Sequence, residues 1–269
     1  MDRKEKIKRL LQKEKYCFDD LVRIVDLLRG EGGCPWDMEQ THKSIRNDFI
    51  EETYEVIEAI DTENTILLRE ELGDVMLQVV FHAQISNEEK NFNIDDVTND
   101  ICAKLIHRHP HVFADVDAKT SAEVLKNWES IKSEEKSRVT VTDKLKSVPP
   151  MLPALMRATK VGKKAKCFDF PSAEDVMDKI SEELVEVSEA MEEGNTEHIS
   201  EEIGDLILSI TSLCRKLGVD AEAALNSATE KFISRFEQIE KEVLAQNKDI
   251  NSCSVGELDA IWNKNKKKT

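Results

Sequence analysis

EETYEVIEAIDTENTILLREELGDVML, running from Glu51 to Leu77, returns without a gap as EELVEVSEAMEEGNTEHISEEIGDLIL, from Glu182 to Leu208, with about half of the positions identical. The chain therefore holds one acidic two-helix unit twice. Both copies keep Glu-Glu-x-x-Glu, a spacer, and then Glu-Glu-Leu/Ile-Gly-Asp. A helical residue advances about 100° around the axis, so positions three or four apart share a face. Glu51, Glu52 and Glu55 fall in one quadrant, as do Glu70, Glu71 and Asp74; Glu182, Glu183, Glu186 and then Glu201, Glu202, Asp205 repeat the spacing. Four acidic clusters make two facing pairs.

Any one such cluster, taken alone, reads as a solvated acidic face. The second helix of each pair argues otherwise. Val75, Met76, Leu77, Val79, Val80 and Phe81 follow Asp74, and Leu206, Ile207, Leu208, Ile210 and Leu213 surround Asp205. A helix apolar nearly all round predicts burial, which carries the carboxylates into a packed interior. Like-charged carboxylates crowded there take up protons or bind a cation, and a hard ion such as Mg²⁺ prefers oxygen ligands. Gly73 and Gly204 lie within these helices, where glycine costs about 1 kcal/mol relative to alanine; their presence predicts a close helix approach.

A length of 269 residues suffices for two modest domains, and the repeat makes the halves those domains. Glycine and proline are sparse, and long amphipathic runs without alternating β-branched stretches predict an all-α fold. A net charge of −16 with pI near 4.9 disfavours nucleic acid and anionic membranes as partners. An acidic protein acting on an anionic substrate needs a cation between them. No apolar run approaches the roughly 20 residues that span a bilayer, and the charged N-terminus lacks a signal-peptide core; a cytoplasmic location is expected. Cys17, Cys34, Cys102, Cys167, Cys214 and Cys253 are scattered without Cys-x-x-Cys spacing, so reduced thiols are expected.

Along the chain, a first helix is expected from about Phe18 to Leu28, ending at Gly30, before the loop Gly-Glu-Gly-Gly-Cys-Pro-Trp-Asp. The acidic pair follows, then helices near Ile94–His107 and Ala122–Lys136. Pro149, Pro150 and Pro153 mark residues 138–153 as a linker between a domain over residues 1–137 and one over residues 154–269. In the second, a helix near Leu155–Lys166 leads to Phe168-Asp169-Phe170-Pro171, the acidic pair, and a long helix beginning at Asp220. The basic ends, Arg3 to Lys15 and Lys264 to Lys268, read as solvated termini. After each acidic pair, Lys104 with Arg108 and Lys231 with Arg235 stand four residues apart on one helical face, placed to contact phosphate oxygens. Trp36 and Trp262 are candidates to stack on a base, and Phe168 and Phe170 occupy the loop that corresponds to Trp36. Stacking reads any flat aromatic ring alike, which predicts broad tolerance of the ring bound. His107, His109 and His111 do not converge as metal ligands on a helix interrupted at Pro110.

These residues together resemble the MazG family of nucleoside triphosphate pyrophosphohydrolases in its long, two-domain form. Gly33-Cys34-Pro35-Trp36-Asp37 and Arg108-His109-Pro110-His111-Val112-Phe113 match stretches typical of that form. The resemblance implies an all-α tandem repeat with four-helix-bundle cores completed by dimerisation, and conversion of an NTP to NMP and pyrophosphate. It implies Glu52, Glu55, Glu71 and Asp74 as metal ligands in the first half, and Glu183, Glu186, Glu202 and Asp205 in the second, with Mg²⁺ as cofactor and Mn²⁺ as a substitute. A carboxylate beside the metal can accept a proton from the attacking water; Glu51 or Glu52, and Glu182 or Glu183, are the candidates.

Two other readings stand beside this one. All-α dUTP or dCTP pyrophosphatases and phosphoribosyl-ATP pyrophosphatase share the metal motif, and a non-catalytic helical protein binding a basic partner shares the acidic faces. The second half, with Lys231, Arg235 and Trp262, carries the fuller nucleotide set.

Overall fold

The computed structural model describes residues 2–135 and 140–266. Fourteen α-helices are present among them: α1 (Arg3–Leu11), α2 (Phe18–Arg29), α3 (Pro35–Glu39), α4 (Arg46–Asp61), α5 (Thr65–Glu88), α6 (Ile94–Arg108), α7 (Pro110–Phe113), α8 (Ser121–Glu135), α9 (Val141–Lys146), α10 (Ala154–Lys164), α11 (Ala173–Glu193), α12 (Thr196–Lys216), α13 (Ala221–Leu244) and α14 (Val255–Lys266). No strand occurs among the described residues. The fold is all-α, as the periodicity predicts. It divides into two compact units, Met1–Lys132 and Ser133–Thr269. The stretch expected to link them carries α9, which packs on α10, while Ser137 and Arg138 lie outside the described residues.

Each repeat forms a helical hairpin, α4 with α5 and α11 with α12, and its turn is encoded in both copies. Glu63 (φ 53°) and Gly194 (φ 69°) take the left-handed conformation that ends the first helix. The next residue, Asn64 or Asn195, caps the second helix by accepting from two backbone N–H groups.

In the first unit the core is Val25, Ile45, Val80, Phe81 and Ile85, with Leu21, Val22, Leu77 and Ile94 against it. It therefore lies where α2 packs on the C-terminal half of α5. The core residues of α5 fall in its C-terminal half, while Leu72 and Met76 of the N-terminal half stay exposed, and the expectation of an all-round buried helix fails there. In the second unit Ile203, Ile207, Leu208 and Ile210 of α12 are exposed in the same way. A Cβ added at Gly73 or Gly204 would meet nothing within 4 Å. The close helix approach expected at these glycines is absent among the described residues.

The basic N-terminus is not merely solvated. Arg3 donates to the carbonyls of Leu27 (3.0 Å) and Gly32 (2.8 Å), and Lys6 Nζ pairs with Asp26 at 3.0 Å. Lys267 and Lys268, at the other basic end, lie outside the described residues. Gly33 closes the turn after α2 by an approach only glycine permits: a Cβ there would lie 2.1 Å from the Leu28 carbonyl oxygen. Buried Arg29 then fixes the Cys-Pro-Trp-Asp segment. It pairs with Glu88 through two hydrogen bonds of 3.0 and 2.8 Å, donates to the carbonyls of Asp37 and Gln40, and lies over the Phe81 ring.

Candidate metal and nucleotide site

The hairpins bring the carboxylates together in threes. One oxygen from each of Glu52, Glu55 and Glu71 lies within 4.8 Å of the others, and Glu183, Glu186 and Glu202 repeat the arrangement. The three-residue spacing on α4 and α11 turns two glutamates toward a single glutamate on the facing helix. Asp74 and Asp205, nearly one turn further along, stand outside these triplets. The charge of Asp74 still acts on Glu52 and Glu71, and Asp205 lines a cavity together with Glu183. Glu51, Glu70, Glu182 and Glu201 are exposed at the margins.

Burial of the carboxylates is partial rather than complete, because only one member of each triplet is deeply enclosed: Glu71 is 7% exposed and Glu183 4%. The electrostatic consequence is clear in the first unit. Burial pushes the Glu52 carboxyl above its ordinary value, with Asp74 and Glu55 adding repulsion. Glu71 is pushed up to about 6 by burial, its hydrogen bond with Glu55, and the charges of Glu55, Asp74 and Glu70. A carboxylate crowded this way holds a proton or a cation.

The second centre carries internal counter-charges that the motif does not announce. Lys179, one turn before Glu183, places Nζ 2.8 Å from Glu182 and 2.9 Å from Glu183, and these hydrogen bonds raise its own pKa. His198 bridges Glu193 (2.9 Å) and Glu202 (3.1 Å); its hydrogen bond to Glu193, aided by the nearby carboxylate charges, raises its pKa. Burial raises Glu186, and Lys179 opposes that shift. Both Lys179 and His198 stand four residues before a triplet glutamate, a helical spacing that would have found them. Even so, Glu183 Oε2 is buried with no hydrogen-bond partner. Oxygen-only donor sets with an unsatisfied buried carboxylate oxygen fit a hard divalent cation.

A cavity of about 570 Å³ adjoins the second centre, with Lys179, Glu183 and Asp205 in its wall beside Phe168, Phe170 and Leu208. Phe168 is 94% exposed. Asp169, between the two phenylalanines, accepts from both terminal nitrogens of Arg215 and from Lys216 at 2.9 Å, which holds its carboxyl well below the usual range. Arg215 reaches this position across Gly162, where a Cβ would stand 3.1 Å from its Nε.

The basic residues assemble elsewhere. Each arginine has a tryptophan under it: Arg108 lies 5.2 Å from the Trp128 ring and Arg235 lies 5.6 Å from the Trp262 ring. His109 meets Trp128 edge-on, and Phe232 packs on Trp262. Arg235 Nε is buried without a hydrogen-bond partner, and Lys104 and Lys231 are exposed. None of the four basic residues is among the charges acting most strongly on Glu52, Glu71 or Glu186. Trp36 sits on α3, 60% exposed, so the tryptophan matching Trp262 is Trp128. Sequence spacing concealed it: Trp128 follows Arg108 by 20 residues, whereas Trp262 follows Arg235 by 27.

Both hairpins fall within stretches that are similar to known proteins. The family model described as the MazG nucleotide pyrophosphohydrolase domain matches residues 40–113 and 171–239, one match over each hairpin. A nucleoside triphosphate pyrophosphohydrolase/pyrophosphatase MazG of Thermotoga maritima is 43% identical over 93% of this chain and 95% of its own. A nucleoside triphosphate pyrophosphohydrolase of Escherichia coli K12 is 42% identical over 91% and 95%, and one of Mycobacterium tuberculosis is 34% identical over 86% and 61%. With both hairpins matched and the likeness running through loops and flanking helices alike, the chain belongs to the MazG family, in which the acidic hairpin is present twice.

Proposed function

We propose that the chain hydrolyses nucleoside triphosphates to the monophosphate and pyrophosphate, using a divalent cation, Mg²⁺ or Mn²⁺, held by Glu52, Glu55, Glu71 and Asp74 in one unit and by Glu183, Glu186, Glu202 and Asp205 in the other. The observation that carries this reading is the pair of oxygen-only triplets on facing helices, in a chain whose relatives bear that activity in their names. When bound, such a cation neutralises triphosphate charge and activates water for in-line attack at the α-phosphorus. Glu51 or Glu52, and Glu182 or Glu183, accept the proton of that water. Phe168 and Phe170, beside the second centre, receive the nucleobase in the adjoining cavity, and the aromatic surface accepts any base.

Lys231, Arg235 and Trp262, with Lys104, Arg108 and Trp128 as their counterparts, contact the phosphates and nucleoside from a partner copy. Support for a homodimer comes from exposed apolar stripes along the hairpins: Ile50, Tyr54 and Ile57 on α4, and Ile203, Ile207 and Ile210 on α12. No described helix is long and apolar enough to cross a membrane. The role proposed is limiting the nucleotide pool, noncanonical nucleotides included. Turnover of a nucleotide panel in ¹⁸O-water tests it: the label is expected in the monophosphate with pyrophosphate unlabelled. Release of inorganic phosphate, or label in pyrophosphate, would contradict it.

A further inference from the structure

The two centres match position for position, yet their surroundings differ in charge. Three residues before the paired glutamates the first unit has Asp48 and the second has Lys179. Asp48 adds its negative charge to the field at Glu52. Lys179 instead stands 2.9 Å from Glu183 and 3.9 Å from Glu186. On the facing helix the position of Leu67 is taken by His198, 3.1 Å from Glu202. All three members of the second triplet thus have an internal cationic or N–H partner, whereas Glu52, Glu55 and Glu71 form no ion pair among the described residues.

An ammonium group seated on carboxylates competes with any ion that needs the same oxygens, and exchanging aspartate for lysine shifts the local charge by two. The competition is incomplete, because Glu183 Oε2 remains buried and unpartnered, leaving one acceptor for an incoming ion. We propose that the two centres are differentiated cation sites: without nucleotide the first takes up a divalent ion tightly, whereas Lys179 and His198 hold the second to weak uptake. The second fills when a polyphosphate brings the ion with ligands of its own. This rests on the reading of the triplets as metal ligands.

Mn²⁺ titration of the full chain, followed by electron paramagnetic resonance of the free ion and without nucleotide, tests the inference apart from activity. Two classes of site are expected, differing roughly tenfold or more in affinity. Glu71→Gln should remove the tight class and Glu202→Gln the weak one. Lys179→Met should tighten the weak class, and Asp48→Lys should weaken the tight one; circular-dichroism melting confirms that each variant is folded, and Asp48→Asn replaces Asp48→Lys if that protein is not. Equal affinities at both centres, or a weak class unmoved by Lys179→Met in a folded protein, would overturn the inference while leaving the metal reading intact. No Mn²⁺ bound with or without a nonhydrolysable triphosphate would overturn both.

Discussion

Glu71 shows how one side chain links stability to the proposed chemistry. Its carboxyl titrates near 6 in the fold against an ordinary 4.5, so the folded state binds the proton more tightly than the unfolded chain. That contribution favours folding fully below about 4.5 and is lost as pH rises through about 6. Calorimetry in EDTA should therefore show the melting temperature falling between pH 5 and pH 7, and Glu71→Gln should flatten that slope. A slope unchanged in the variant would remove Glu71 as its source. Asp169 has the opposite character: its pairs with Arg215 and Lys216 are only partly exposed. Asp169→Asn should cost about 2 kcal/mol, read as a lower denaturation midpoint at neutral pH.

At the level of elements, the hairpins were legible because the acidic unit recurs without a gap and keeps its carboxylates at helical spacing in both copies, whereas the Asn64 and Asn195 caps came only with the structure. The triplet glutamates were legible for the same reason. Less legible was which part of α5 and α12 is buried. Hydropathy records that Leu72 and Ile207 are apolar, but not that both stay exposed while the core of the first unit gathers at the far end of α5. Arg3, Arg29 and Trp128 were also concealed, since their partners lie across loops rather than at a fixed spacing along one helix. The loop before α11 offers a direct test of the proposed base cavity. Phe168 is so exposed that Phe168→Ala should leave the melting temperature unchanged, while KM for nucleoside triphosphates rises roughly tenfold at similar kcat, the loss of one stacking contact. An unchanged KM would place the base elsewhere. In the first unit, Gly33→Ala forces a Cβ into the Leu28 carbonyl and should destabilise by about 2 kcal/mol or more, seen in chemical denaturation.

Across the whole molecule, a duplicated acidic hairpin is retained with all eight proposed ligands, yet the two copies have diverged in the charges around them. The exposed stripes of α4 and α12, exposed Leu184 and Val185 on α11, and the uncrowded Gly73 and Gly204 leave apolar surface on each unit, the kind that marks an association face. Light scattering should give a dimer, and Leu184→Glu with Ile207→Glu should shift it toward monomer with loss of turnover. A wild-type monomer with full activity would show that the basic elements need no partner copy.

Facing carboxylates that hold the cation through which triphosphate is cleaved are what the proposed activity requires above all. Pyrophosphate release with Mg²⁺ and with EDTA, compared between the wild type and the Glu52→Gln, Glu183→Gln double variant, tests it most directly. Turnover should disappear with EDTA, return with Mg²⁺, and fall roughly a hundredfold or more in the folded double variant; Mg²⁺-dependent pyrophosphate release undiminished in that variant would show that the carboxylates do not hold the cation.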